Sequence, residues 1–398
     1  MVRSIAALVK PELVRWARKS AGLDLRTAAR RIGQPEERIR AWEAGEEAPT
    51  IAQLRKSAQV YKRPLAVFYL PEVPKDFAPL RDLRRLPADV PAQYSPELLY
   101  LMRSVLARQE WAIEMRREVK LTRVRFVSSA DIDESIPAVA KRIRKMLNIS
   151  QDEQLRYRDT DAALRRWVAQ VERLGVFVFQ SSDVALAEMR GFALPHPIAP
   201  VVLINSKDAR SARVFTLLHE FVHIVVGSEG VSNLVLPNRP RTLEQKTEVF
   251  CNAVAAEVLV PELALRSAMK AAGTWQNRID EVIRELSRDF SVSREVIARR
   301  LTDLGFTSRT FYERKREELT DEFERYTKSR RGKEFRVPYA RIILRNNGRA
   351  FARLVLSAHG DSLITGRDVS SLLNMKLKHY DRVTADVFRQ RIAGGADE

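Results

Sequence analysis

The chain has 398 residues and a formal net charge of +18 at neutral pH, with 45% hydrophobic and 30% charged residues. This composition supplies enough apolar side chains for globular cores and excludes an intrinsically disordered chain. The single Cys excludes a disulfide scaffold and a Cys-ligated structural zinc site, and it fits a cytoplasmic location, which we expect for this chain. The sequence predicts neither a membrane span nor a signal peptide, so we expect no membrane partner.

The positive charge is concentrated at the two ends of the chain. Residues 1–75, 81–145 and 301–398 are basic, whereas residues 146–300 are nearly neutral. A basic end attracts polyanions and favours phosphate contacts, so nucleic acid is one predicted partner. The alternative is an Arg-rich surface that is simply solvated.

Residues 12–62 predict four or five short helices, with apolar residues at helical spacing. Ala29, Gly33 and Ile39 have the relative spacing of a helix-turn-helix, in which Gly33 adopts the left-handed turn. The second helix is predicted to begin near Pro35. The stretch from Ala29 to Leu70, with its Trp-Glu-x-Gly and Pro-Thr-x-x-x-Leu steps, resembles the Xre-type repressor domain.

The resemblance implies that residues 1–70 bind a DNA operator, and we expect Gln34, Arg38 and Arg40 to contact it. Two acidic residues, Glu36 and Glu37, lie at the end that would face the groove, and they repel phosphate. The alternative is therefore a domain that keeps this fold but binds a protein or forms a homodimer.

Elements beyond residue 70 are predicted in chain order. Six prolines between 71 and 96 predict a linker, followed by a long helix over 97–119, so that residues 71–129 connect two domains. Strands are predicted at 175–179, 189–193 and 200–205. Further helices are predicted at 136–147, 159–173, 210–226, 243–260, 277–304, 348–359 and 366–375.

The helix predicted over 210–226 contains an HExxH motif, formed by His219, Glu220 and His223. Two His four residues apart project from one helix face and can hold one Zn²⁺. Glu220 is then placed to act as a general base, while the alternative is a His pair that only packs. A catalytic zinc needs a third protein ligand, and the candidates are Glu248 and Glu244 on the next predicted helix.

Two neighbouring residues complete this prediction. Asn252 shares the helical face of Glu248 and is expected to orient a ligand, whereas Glu257 is expected to face elsewhere. His196, in a Pro-flanked loop, is a candidate oxyanion stabiliser, although a structural role is the favoured interpretation.

The segments RVFTLLHEFVHIVVG and EVFCNAVAAEVLVP resemble the ImmA/IrrE family of metallopeptidases. The resemblance spans residues 130–270. It implies His219, His223 and Glu248 as ligands of Zn²⁺ and Glu220 as general base. Phe250 and Cys251 depart from the residues that many members carry, and we expect Cys251 to be packed in the core.

We therefore predict an α+β, mostly helical protein. An all-α helix-turn-helix domain precedes a zincin-like metallopeptidase domain with a small sheet, and residues 271–398 form a helical C-terminal extension of unknown role. The family resemblance implies a transcriptional regulator that cleaves a repressor protein and thereby derepresses stress or mobile-element genes. The alternative is an antitoxin-like or autoregulatory DNA-binding protein whose peptidase fold binds a toxin or another partner encoded nearby.

Overall fold

A computed structural model of the chain describes residues 6–74, 94–120, 123–157, 159–228, 230–232, 242–329 and 337–388. The predicted linker at 71–96 and a predicted loop at 228–241 lie largely outside these residues. The chain divides into two compact units, the first including residues 6–74 and 94–108 and the second including the described residues from 109 onward. Among the described residues, no helix combines the length and the apolar character that crossing a membrane requires.

In the first unit, every element that the structure describes is a helix. Its helices are α1 (Pro11–Ser20), α2 (Leu25–Ile32), α3 (Glu36–Ala44) and α4 (Ile51–Val60), followed by a 3-10 turn at Leu65–Tyr69 and the first half of α5 (Pro96–Glu118). Local sequence fixes the ends of these helices: Asp24 caps α2 by accepting a hydrogen bond from the Thr27 amide, and Gly33 ends it at φ 77°.

Helix α3 is the predicted second helix of the helix-turn-helix. It begins directly after Pro35, as the sequence predicts. Its apolar side chains Ile39 and Trp42 are buried against α1, α2 and α4. A buried ion pair ties α1 to α3: the Arg18 guanidinium donates to both carboxylate oxygens of Glu43, at 2.6 and 2.8 Å.

The second unit surrounds a four-stranded sheet with helices. Three helices precede the sheet in the chain: α6 (Ile136–Leu147), α7 (Gln151–Leu155) and α8 (Thr160–Arg173). The strands are β1 (Phe177–Ser181), β2 (Gly191–Leu194), β3 (Val201–Asn205) and β4 (Gly230–Ser232), and helix α9 (Arg210–Val226) lies between β3 and β4 in the chain. The strand order is β1-β3-β2-β4, with β1 parallel to β3 and β2 antiparallel to both of its neighbours.

After the sheet the chain is helical. These helices are α10 (Leu243–Leu259), α11 (Glu262–Ala271), α12 (Ile279–Asp289), α13 (Arg294–Asp303), α14 (Arg309–Ser329), α15 (Tyr339–Asn347), α16 (Arg349–Gly360), α17 (Gly366–Leu372) and α18 (Tyr380–Phe388), with 3-10 turns at Gln276–Arg278 and Leu377–His379.

The two faces of the sheet are covered by different helices. Val178, Val202 and Ile204 join the core that contains the apolar side chains of α9 and α10. Phe177 and Phe179 point the other way, and both rings contact Phe351 of α16 edge-to-face, at 5.6 and 5.2 Å between ring centroids. The C-terminal helices therefore pack on this second face of the sheet.

Several sequence predictions differ from the structure, and some helices, α14 among them, were not predicted. The first strand begins at Phe177, because Gly175 adopts φ 93° and still belongs to the turn after α8. The helix predicted over 277–304 is split into α12 and α13: Ser291 adopts φ 53°, and the Ser293 hydroxyl caps α13 by accepting from the Val296 amide. Helix α14 was not predicted from the sequence. Charged pairs one helical turn apart, such as Arg309–Glu313, stabilise its exposed face.

Candidate functional site

Helix α9 carries the HExxH motif through the middle of the second unit. Thirteen of its residues are buried, including His219, Glu220 and His223, and Gly227 ends it at φ 81°. A helix that is apolar on nearly every face is stable only inside a protein, so its few polar side chains are held in a water-poor environment. The motif therefore lies where polar groups need specific partners.

The two imidazoles of the motif meet Glu248 of α10. The Nε2 atoms of His219 and His223 are 3.1 Å apart. Glu248 places Oε2 3.4 Å from His219 Nε2 and Oε1 3.1 Å from His223 Nε2. One ligand atom from each of the three residues can be chosen so that all lie within 4.8 Å of one another.

These separations fit a tetrahedral metal ion. With Zn–N and Zn–O distances of about 2.0–2.1 Å, the ligand atoms of a tetrahedron lie about 3.3 Å apart. The observed separations of 3.1–3.4 Å bracket this value. Two imidazole nitrogens and one carboxylate are also the donor set of many catalytic zinc sites, which keep a fourth position open.

The electrostatics of the cluster favour metal ligation. Burial lowers the pKa of His219 even though the adjacent Glu248 carboxylate acts to raise it, so the neutral imidazole that binds metals is favoured. Burial alone would raise the pKa of Glu248, but the adjacent imidazoles hold it well below its usual value. Neutral imidazoles beside an ionised carboxylate are the protonation states that ligate zinc.

The other predicted site residues occupy different places. Glu244 is half-buried and is not part of the three-residue cluster. Asn252 is buried, and its amide donates 2.8 Å to the backbone oxygen of Glu248, one helical turn earlier. Glu257 faces away from the cluster, as predicted, and forms an ion pair with Arg300.

His196 and Cys251 have surroundings that agree with structural roles. His196 Nδ1 accepts hydrogen bonds from the backbone amides of Ile198 and Ala199, at 3.1 and 3.3 Å, and so holds a turn between β2 and β3. Cys251 is fully buried in the core, and burial together with the charges of Glu248 and Glu220 raises the pKa of its thiol. A thiol in such surroundings is unreactive.

Sequence reasoning missed one backbone contact of the site. Gly191 of β2 lies against α9, and a Cβ atom added there would be 2.7 Å from Glu220 Oε1 and 2.9 Å from the Leu203 backbone oxygen. The close approach of strand and helix therefore requires glycine at this position. The strand pattern around residue 191 predicts β2 but does not indicate which helix packs on it.

The predicted DNA-contacting residues lie on the exposed side of the helix-turn-helix. Arg38 and Arg40 are exposed on α3, and Gln34 is half-buried in the turn before it. Arg40 pairs with Glu36 at 3.1 Å, and Arg38 donates to Gln34 Oε1 at 3.1 Å. Exposed contacts of this kind are weak, so phosphate groups can replace them.

Comparison with known families follows the same division of the chain. The family model described as Helix-turn-helix matches residues 14–68, and the model described as IrrE N-terminal-like domain, a peptidase family, matches residues 171–302. No curated protein matches the chain. The second match includes α9 and α10 and extends through α13. The chain therefore joins a helix-turn-helix domain to an IrrE N-terminal-like peptidase domain.

Proposed function

We propose that this protein is a transcriptional regulator whose second unit is a zinc endopeptidase that cleaves a repressor protein. The observation that carries the proposal is the buried cluster of His219, His223 and Glu248, with Glu220 beside it on the same helix, in a chain that also has a helix-turn-helix domain. Residues 1–70 would bind an operator, and residues 130–270 would carry the peptidase activity.

In this proposal each site residue has a separate task. His219, His223 and Glu248 hold the metal, and Glu220 accepts a proton from the attacking water and returns it to the leaving amine. Zn²⁺, when bound, polarises the scissile carbonyl and lowers the pKa of water. The absence of a Cβ atom at Gly191 leaves the space that the Glu220 carboxylate occupies against β2. Asn252 is proposed to support Glu248 through the helical turn that they share.

The variant Glu220→Gln tests the enzymatic part of this proposal. The purified variant should hold zinc at the wild-type stoichiometry by elemental analysis, because Glu220 is not a ligand, while Glu248→Gln should lose metal. Proteins encoded beside this gene would be co-expressed with wild type or Glu220→Gln and compared by mass spectrometry. Cleavage that occurs only with wild type supports the proposal, and loss of zinc from Glu220→Gln would contradict the assigned roles.

A second candidate function is a DNA-binding protein whose peptidase fold serves as a binding platform. The observation that favours it is burial: His219, Glu220 and His223 are 0% exposed and Glu248 is 4% exposed. A polypeptide substrate reaches these groups only after the surrounding elements move. If regulation persists in Glu220→Gln but is lost in the α3 double variant Arg38→Ala/Arg40→Ala, the binding function is favoured over proteolysis.

DNA binding itself has a simple test. Affinity for a genomic fragment should fall as salt concentration rises, because phosphate contacts release counterions. The double variant Arg38→Ala/Arg40→Ala should bind more weakly and with a shallower salt dependence. The absence of specific retention of any fragment would exclude an operator-binding role.

A further inference from the structure

Arg213 is a buried arginine with few partners. It lies in the second turn of α9, is 9% exposed, and donates from Nη1 to the Gln180 side-chain oxygen at 3.0 Å. Its Nε has no hydrogen-bond partner among the described residues. A guanidinium offers five N–H donors, and leaving a buried one without an anionic partner is costly. A buried guanidinium with an unused donor is therefore a candidate ligand for an anion.

The surroundings of Arg213 strengthen this conclusion. Burial, and then the positive charges of Arg210 and Arg345, lower the pKa of Arg213 to about 10. Two carboxylates, Asp208 and Asp161, act to raise this pKa, but both are paired with other arginines. Asp208 pairs with Arg190 at 2.7 Å, and Asp161 pairs with Arg210 at 2.8 Å.

The residues that influence Arg213 come from three different elements. Gln180 is at the carboxyl end of β1, Arg210 and Arg213 are in the first two turns of α9, and Arg345 is exposed near the end of α15, which packs on β1. Because β1 is parallel to β3, Gln180 lies at the edge of the sheet where the carboxyl ends of these two strands meet. The amino-terminal end of α9 adds its partial positive charge.

We propose that Arg213, Arg210 and Arg345 form a binding site for a small oxyanion, either a phosphoryl or a carboxylate group. Guanidinium groups bind both through paired charge-assisted hydrogen bonds. Arg213 is too deeply buried to meet the flat surface of a nucleic-acid backbone, so a small ligand fits better than a polyanion. The site is separate from the proposed metal centre and does not depend on peptidase activity.

Binding of two probes to the full-length protein tests this proposal. Inorganic phosphate and succinate would each be titrated at constant ionic strength, with calorimetry and thermal unfolding as readouts. We expect at least one probe to bind saturably and to raise Tm. Preference for phosphate assigns a phosphoryl ligand, and preference for succinate assigns a carboxylate ligand.

Substitutions locate the bound probe. Arg213→Gln should abolish binding, while Arg210→Gln and Arg345→Gln should each raise Kd about tenfold, as expected for loss of one charged hydrogen bond. Arg367→Gln, an exposed change on α17, is the matched control and should keep the wild-type Kd. If Arg213→Gln does not fold, the two exposed positions still carry the test.

Three results would overturn the proposal. The first is the absence of saturable binding of either probe. The second is a Kd that the substitutions at Arg210 and Arg345 leave unchanged. The third is binding that disappears when the protein is treated with a chelator and desalted but that keeps its wild-type Kd in Arg210→Gln and Arg345→Gln, which would place the anion at the metal centre instead.

Discussion

Changing Glu172 to Gln should remove a pH dependence from the docking of the C-terminal helices. Glu172 lies near the end of α8, and its Oε1 accepts a hydrogen bond from the Ala350 amide at 3.1 Å, in the first turn of α16. Gly348 is so close that an added Cβ atom would lie 2.5 Å from the same oxygen. One residue after Ala350, Phe351 packs on the sheet. The carboxylate is therefore enclosed in the contact between the C-terminal helices and the peptidase sheet.

The sign and size of the effect follow from the pKa of Glu172. Burial, partly opposed by hydrogen bonds from the backbone amides of α16, raises this pKa from 4.5 to about 7. The folded protein therefore binds more protons than the unfolded chain between these values, and its stability falls as pH rises through that window. A rise of this size corresponds to at most about 3 kcal/mol, which is fully present below pH 4.5 and lost above pH 7.

Glu172→Gln should be insensitive to this titration because its amide stays neutral. Hydrogen exchange of the α16 amides and urea unfolding would be followed from pH 4.5 to 8 in both proteins. Trp111 packs edge-to-face on Phe351 at 5.7 Å, so the part of the tryptophan fluorescence that is lost in Trp111→Phe reports the same contact. Glu110→Gln, an exposed change on α5, is the control and should keep the wild-type pH dependence. An equal loss of stability with pH in wild type and Glu172→Gln would refute the reasoning.

Three further predictions concern the two units separately. Gly191→Ala should lower the free energy of unfolding, measured by thermal unfolding, by about 1–3 kcal/mol, because the added methyl group overpacks the contact between β2 and α9. The same change should displace the Glu220 carboxylate, while the zinc content of the purified protein stays at the wild-type level. Glu43→Ala should destabilise the first unit by about 3–5 kcal/mol, since it leaves Arg18 buried and without its carboxylate partner. Unchanged denaturant unfolding of the first unit in the full-length protein would contradict this. Removal of metal with a chelator should lower the Tm of the second unit. Adding zinc at about 1,000 times its Kd should then raise the free energy of unfolding by about 4 kcal/mol. Glu248→Gln should recover much less stability on zinc addition.

The features that the sequence predicts correctly depend on local spacing. The positions of His219 and His223 on one helix face, the turn at Gly33 and the start of α3 after Pro35 all follow from short-range patterns, and the structure confirms them. Spacing alone left Glu248 and Glu244 as alternatives, because the choice depends on how α10 packs on α9. The split between α12 and α13 was missed, since it depends on a left-handed Ser291 that the pattern of apolar residues does not indicate.

Contacts between distant parts of the sequence were beyond prediction. Glu172 and Ala350 are separated by 178 residues, and nothing near either residue indicates the other. The same holds for Gly191 and Glu220, where the requirement for glycine arises from the packing of a strand on a helix. The C-terminal extension, whose role the sequence left open, covers one face of the sheet because Phe351 fits between the rings of Phe177 and Phe179.

Helix α9 connects the proposed sites of the second unit. Arg213 lies near its beginning, and the ligand His219 follows less than two turns later, so both are attached to one buried and tightly packed element. A displacement of its first turns is therefore transmitted along the helix instead of being absorbed by a flexible loop. If an anion at Arg213 favours one position of α9, zinc affinity must change with anion concentration, and by linkage anion affinity must change equally with zinc. The proposed anion and the proposed catalytic metal would then act on each other through a single helix, with no contact between them.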